Sequence, residues 1–374
     1  MGSMRILISP MNWGFGHAGR MIPLAIQLQN RGNEIIFAAD KSLLPMLEKD
    51  LPGVKLIAVS DKDMHYSSRL PQYWSIFVQI PMIIISAFRE HSELKKLVNE
   101  LHPEIVISDN RLGFWHSDVF CVYITHQLRL RLPRLFAFLE PVGARLHRMI
   151  INHYDLCFVP DLPGSENLSG WLSHGLTLPD NVIYIGPLSR FSAFSSSSGK
   201  EPDLKRPYFC IILSGPEPQR SLLFEKIATS LIGYRLVVMS GSSVNYTPGP
   251  GSDITLITNP DTKTMKSVIS GSELVITRSG YTSVMELVSL GKGAVLIPTP
   301  GQTEQEYLGI WLDGRYGFAS LRQNHIRDII AAIERSRHIA ARVMTYDSKL
   351  LDDALDTLIE KAKERDSHHR SPGK

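Results

Sequence analysis

The stretch from Ser272 to Gln305 constrains the fold most. Leu274 to Thr277 is a short apolar, β-branched run of the kind that fills a buried parallel strand. Arg278, Ser279 and Gly280 then make a tight turn. Thr282 to Leu290 has helical spacing, with Val284, Leu287 and Val288 on one face. Thr282 or Ser283 can cap that helix and Gly291 can end it. A second apolar run, Ala294 to Ile297, stops at Pro298. Strand, glycine turn, helix and strand in this order predict a parallel α/β sheet. They also leave backbone N–H groups open to an anion at the helix N-terminus. Glu286 stands one turn into the helix, where a carboxylate can accept hydrogen bonds from vicinal hydroxyls such as those of a ribose.

These residues resemble the nucleotide-sugar site of MurG-type glycosyltransferases. The resemblance implies the GT-B fold, an α/β architecture of two Rossmann-like β/α/β domains facing each other across a cleft. It implies that the Gly280 turn faces a donor diphosphate, that Glu286 holds the donor ribose and that Gln305 contacts the donor. Arg278, Gly280, Ser283, Glu286 and Gln305 match the family's pattern. Asn259, Ser279, Thr282, Gly301, Gln302 and Glu304 complete the expected donor side. Glu304 stands where the family has His and Leu308 where it has Asn, so the sugar stays open.

The remaining chain alternates strand-like and helix-like runs. Arg5 to Ser9 and Glu34 to Ala39 read as strands around a helix from Ala18 to Arg31. Further strands are expected at Lys55 to Val59, Glu104 to Ser108, Val119 to Ile124, Leu156 to Val159 and Val182 to Ile185, with a helix from Ser86 to Leu101. A Ser-rich segment over 191–206 reads as a linker between an acceptor-side domain, 4–190, and a donor domain, 207–342. Tyr208 to Leu213 restarts the strand pattern. The helix over 343–365 is expected to pack back on the first domain, ahead of a disordered tail at 366–374. A length of 374 residues suits two domains.

Three scattered cysteines, Cys121, Cys157 and Cys210, carry neither metal spacing nor a disulfide framework, which fits a reducing cytoplasm. No signal peptide is read, and Gly2-Ser3 ahead of Met4 reads as a cloning scar. A net charge of +3 does not point to nucleic acid. The longest apolar run, Ile76 to Phe88, is interrupted by Gln79 and Pro81 and is shorter than the ~20 residues that cross a bilayer.

Gly14, Gly16 and Gly19 satisfy G-x-G-x-x-G, with Asp40 where a ribose-binding acid would stand. Against a dinucleotide reading, Pro10 to Trp13 separate the strand from the first glycine. MurG-type enzymes carry a Gly-rich loop ending in Gly-His here, and Asn12 to His17 resembles it. His17 at a helix N-terminus is kept neutral by the helix end, and can serve as general base or bind the diphosphate; a plain capping role is the alternative. Asp109 follows a strand and is the second catalytic candidate, with a turn role as its alternative. His126 and Gln127 also follow a strand and are placed on the acceptor side. Ser214 and Gly215 resemble the family's phosphate loop, from which Pro216 and Pro218 depart. Asp61 and Asp63 spell a lone D-x-D, read as a solvated loop; no metal is expected, because a helix N-terminus and Arg278 can stabilise a departing diphosphate. Arg129, Arg131, Arg134, Arg145 and Arg148 interleave with leucines and phenylalanines, a pattern suited to an anionic membrane surface or to a core-facing helix pair with a solvated basic face.

The expected activity is metal-independent hexosyl transfer from a nucleoside-diphosphate sugar, UDP-linked, to the hydroxyl of a glycan or glycolipid. No cofactor beyond the donor substrate is expected. The expected location is the cytoplasm, or the inner membrane surface. One alternative is a nucleotide-sugar hydrolase of the pseudaminic-acid pathway type, whose Gly-x-Gly-His…Arg start resembles Gly14, Gly16, His17 and Arg20. The other is a nucleotide-sugar-binding module without turnover.

Overall fold

A computed structural model of the chain describes residues 3–12, 15–59, 72–193, 204–215, 217–242, 244, 249–342 and 348–370. The chain forms two compact units, one of residues 1–13, 17–188 and 346–374, the other of residues 14–16 and 189–345.

The first unit opens with β1 (Arg5–Pro10), α1 (Phe15–Asn30), β2 (Glu34–Ala39), α2 (Leu44–Asp50), β3 (Lys55–Ala58) and α3 (Gln72–Leu101). It continues with β4 (Ile105–Asp109), β5 (Phe120–Ile124), α4 (Glu140–Ile151), β6 (Leu156–Val159) and β7 (Val182–Tyr184). The seven strands make one parallel sheet in the order β3-β2-β1-β4-β5-β6-β7. Strands β1, β4, β5 and β6 are buried almost throughout, as an apolar run covered on both faces must be. The helix read from Ser86 begins fourteen residues earlier, at Gln72.

The second unit holds α5 (Arg190–Ala193), β8 (Phe209–Leu213), α6 (Gln219–Ser230), β9 (Arg235–Ser240), β10 (Asp253–Thr258) and α7 (Thr262–Gly271). Then follow β11 (Leu274–Thr277), α8 (Tyr281–Ser289), β12 (Ala294–Leu296), α9 (Thr303–Leu312), β13 (Phe318–Ser320) and α10 (Ile329–His338). Its six parallel strands run β10-β9-β8-β11-β12-β13. A core of Ile211, Phe224, Val238, Ile276, Val295 and Ile329 fills the space between this sheet and its helices.

The last helix, α11 (Ser348–Arg370), returns to the first unit. Leu351, Ala354, Leu355, Leu358 and Ala362 recur at helical spacing and are buried. Arg31 reaches Asp352 at 2.7 Å, and Nη1 of Arg365 meets both oxygens of Asp155 at 2.6 Å. Residues 366–370, read as the start of a disordered tail, continue this helix.

Candidate active site

In a parallel α/β sheet the crevice for a ligand opens where the strand order reverses, because the loops leaving the two strands diverge. In the first unit that point lies between β1 and β4. His17 and Arg20 come from the first turns of α1, Asp109 is the last residue of β4, and His126 follows β5. Asn110, at φ 56°, turns the chain sharply away after Asp109.

Nδ1 of His17 lies 2.9 Å from Oδ2 of Asp109. With its proton on Nδ1, the ring donates to the carboxylate and keeps a lone pair on Nε2. Such a pair suits a general base, with the carboxylate fixing tautomer and ring orientation. Asp109 is fully buried. Arg20 Nε donates to Oδ2 at 3.0 Å and Arg20 Nη2 to Oδ1. Burial pushes the Asp109 pKa up, but the charges of Arg20 and His17 and their hydrogen bonds outweigh it, so the carboxyl sits below its ordinary value. Arg20 Nη1 also reaches Nδ1 of His126 at 3.3 Å, and the Gln127 amide nitrogen lies 3.4 Å from His126 Nε2.

The structure thus brings together His17, Asp109, His126 and Gln127, which the sequence singled out separately. Arg20 ties them together, and sequence reasoning gave it no role beyond its place in a motif. Its signal was its position three residues after His17, one turn along the same helix face. Gly16 lies in the first turn of α1 and Gly19 is buried inside that helix, so these glycines do not form the strand-to-helix turn of a dinucleotide fingerprint. Gly14, Asp61 and Asp63 lie outside the described residues.

In the second unit the order reverses between β8 and β11. Here α8 begins directly after Gly280, which is the N-cap and brings no side-chain acceptor. The expected caps, Thr282 and Ser283, instead sit inside the first turn, and Gly291 (φ 60°) follows the C-cap Leu290. A Cβ built on Gly280 would meet nothing within 4 Å, so the glycine leaves room in front of the helix end. A helix N-terminus without a side-chain cap is suited to an anion.

The structure overturns the part assigned to Arg278. Its guanidinium is buried. Nη1 donates to Gln323 Oε1 at 2.7 Å and to the carbonyls of Ile297 and Pro298 at 3.3 Å; Nη2 donates to the carbonyl of Gln219 at 2.9 Å. Burial pulls its pKa down to about 10. Arg278 ties the end of β11 to three other segments of its own unit, at Ile297–Pro298, Gln323 and Gln219. Ser279, also fully buried, donates to the Gln305 carbonyl at 2.8 Å, and Gln305 Oε1 accepts from Thr299 N at 2.9 Å. These two residues fasten the loop after β11 to the loop after β12.

Glu286 is buried and accepts from Arg190 Nε at 2.7 Å on Oε1. Arg190 thus orients the Glu286 carboxylate. Ser214 and Gly215 (φ 96°) are exposed after β8. The neighbouring α6 N-terminus is already served by Glu217, whose Oε2 accepts from Ser221 N at 3.2 Å. Asn259 (φ 49°) directly follows β10, the edge strand, two strands away from β8. Gly301 N donates to Glu306 Oε1 at 2.7 Å, Gln302 is the N-cap of α9, and Glu304 lies in its first turn. Among the described residues no group of three or more His, Cys, Asp or Glu could hold a metal ion.

Residues 238–308, from β9 into α9, match the family described as glycosyltransferase family 28 C-terminal domain. An uncharacterized glycosyltransferase of Methanosarcina acetivorans is 23% identical over 318 residues, covering 81% of this chain and 82% of the relative. The calicheamicin glycosyltransferase CalG4 superposes with a TM-score of 0.60 at 16% identity, over 98% of each chain. The spinosyn rhamnosyltransferase SpnG complexed with thymidine diphosphate gives 0.58 at 16% identity, over 96% of this chain and all of that one. The fold is GT-B, two parallel-sheet α/β domains.

Proposed function

We propose that the protein is a MurG-like glycosyltransferase that moves a hexosyl group from a nucleoside-diphosphate donor, UDP-linked, to an acceptor hydroxyl. The observation that carries this reading is the 2.9 Å contact between His17 and a fully buried, Arg20-held Asp109. In the reaction, Nε2 of His17 takes the acceptor's hydroxyl proton as the oxygen bonds to the anomeric carbon. The bond from that carbon to the diphosphate breaks, and its electron pair leaves with the diphosphate. The N-terminal amides of α8 would offset the charge that develops there. With Arg278 committed to its own unit, the helix end and Gly280 carry this task, and no metal is invoked. Glu286 Oε2 would accept from the donor ribose. SpnG with thymidine diphosphate supports a nucleoside-diphosphate ligand for the fold without selecting the base.

The acceptor we favour is lipid-linked, met at an anionic membrane face. Leu135 and Phe138 are about three-quarters exposed, at 73% and 74%, and Val142, Leu146 and Met149 continue the same stripe along α4, each more than half exposed. Arg145 and Arg148 flank it and are exposed. Arg129 does not belong to this basic face: it donates to the carbonyls of Trp171 and His174 and stacks on the Trp171 ring. Arg131 pairs with Glu140. No described helix is long and apolar enough to cross a membrane.

The test is a panel of nucleotide sugars, with and without polyprenyl-phosphate-linked and soluble sugar acceptors, read by chromatography of the released nucleotide. Release that requires an acceptor supports transfer. Equal release in water alone selects the hydrolase reading. Tight nucleotide binding with no release selects the binding module.

A further inference from the structure

We infer that Arg20 is a positioning residue that fixes where both site histidines carry their protons. The assignment of His126 is independent of the transfer reaction. The consequence for His17 rests on the function proposed above.

An arginine side chain has five N–H donors and no acceptor. Arg20 Nη1 lies 3.3 Å from Nδ1 of His126, so that nitrogen must accept and carry no proton. A neutral His126 therefore holds its proton on Nε2. The Gln127 amide stands 3.4 Å from that nitrogen. Two N–H groups cannot bond to each other, so the proton on Nε2 calls for the amide oxygen of Gln127, which a half-turn of the planar amide presents. His126 Nε2 thus becomes a donor, engaged by Gln127, and is unsuited to act as a base.

The same guanidinium sets the other histidine. Arg20 Nε and Nη2 grip the two oxygens of Asp109, which fixes the carboxylate plane with Oδ2 toward His17. Arg20 Nη2 is also 3.1 Å from His17 Nδ1, but Asp109 Oδ2 is nearer at 2.9 Å and bears the negative charge. His17 Nδ1 therefore carries the proton and donates it to Asp109, leaving Nε2 as the basic nitrogen. One buried cation so makes two nearby imidazoles opposite tautomers. His17 becomes an acceptor at Nε2, as the removal of a hydroxyl proton requires, and His126 a donor at Nε2.

Nitrogen-15 NMR of histidine-labelled protein at neutral pH tests this directly, with signals assigned by their loss in H17Q and H126Q. The expected result is an Nε2–H tautomer for His126 and an Nδ1–H tautomer for His17. In R20M, His126 should become a tautomer mixture, and R20K, which restores a donor, should recover part of the wild-type pattern. Wild-type protein with His126 protonated on Nδ1 overturns the inference, as does an R20M spectrum unchanged at both rings. Thermal melting establishes that R20M is folded; if it is not, R20K against wild type carries the comparison. With an active donor in hand, R20M should lower kcat by on the order of 10²-fold with donor KM little changed. A correct tautomer pattern without transfer would sink the function and leave this inference standing.

Discussion

Arg190 Nε donates to Glu286 Oε1 at 2.7 Å, and each of these side chains is only 7% exposed. A ribose at Glu286 would therefore meet a carboxylate already oriented by a buried guanidinium. Two substitutions should then behave differently. Removing one member of a buried pair costs about 3–5 kcal/mol, so Glu286→Ala should lower the melting temperature as well as nucleotide affinity. Glu286→Gln keeps the shape and should mainly weaken nucleotide binding, by roughly 10-fold or more. Calorimetry with UDP on E286Q, alongside thermal melts of both variants, checks this. Unchanged affinity in E286Q would take Glu286 out of the donor site.

The His17–Asp109 pair makes a second prediction. His17→Ala should lower kcat by about 10²–10⁴-fold while donor KM changes little. Asp109→Asn should also lower kcat, because an amide oxygen holds the tautomer less firmly than a carboxylate. Steady-state kinetics decides. A parallel fall in nucleotide affinity would move His17 from base to diphosphate ligand.

A third prediction concerns pH and stability. Burial pushes the His147 pKa down to about 4, so the folded protein keeps this ring neutral where the unfolded chain protonates it near ~6.5. A folded pKa below the unfolded one means stability that is fully present above about 6.5 and is lost as pH falls toward about 4. The full loss from this ring is about 3 kcal/mol. Asp109, whose pKa is also lowered, acts in the same direction, but only below the ordinary carboxylate range. Urea unfolding at pH 7.5 and 4.5 should therefore show a drop in wild type that is smaller in H147Q. Equal drops in both would refute the assignment.

The membrane proposal predicts binding to anionic vesicles that falls with added salt. Each basic residue near such a surface is worth about 1 kcal/mol, so R145Q/R148Q together should weaken partitioning by roughly 30-fold. Substituting polar residues at Leu146 and Met149 should weaken it further. Co-sedimentation reads both, and an absence of binding at low salt would favour a water-soluble acceptor.

Much of the fold was legible because buried parallel strands write themselves as short β-branched runs between glycine turns. Leu274 to Thr277 and Ala294 to Ile297 contain the β11 and β12 strands. Helix starts were less legible. Thr282 and Ser283 have good capping chemistry, yet Gly280 occupies the N-cap, since a turn's geometry and not its composition decides where the first helical residue falls. Arg278 shows the same limit for side chains. Its partners Gln323 and Gln219 lie 45 and 59 positions away, and no local pattern says whether an arginine after a strand turns inward or toward a ligand. His17 and Asp109 were found separately, one in a Gly-rich loop at a helix N-terminus and the other at the end of a strand. Their 92-residue separation hid the contact between them, and with it the meaning of Arg20.

The return of α11 to the first unit sets an order on biosynthesis. Residues 189–345 of the second unit are contiguous and leave the ribosome before the last helix exists. The first unit must wait for Leu351, Leu355 and Leu358 to cover its sheet, and for Arg365 to reach Asp155. The half of the protein that is translated first is thus completed last. A message truncated shortly after residue 345 would yield a finished second unit and a first unit with an uncovered apolar seat, a natural substrate for chaperones and proteases.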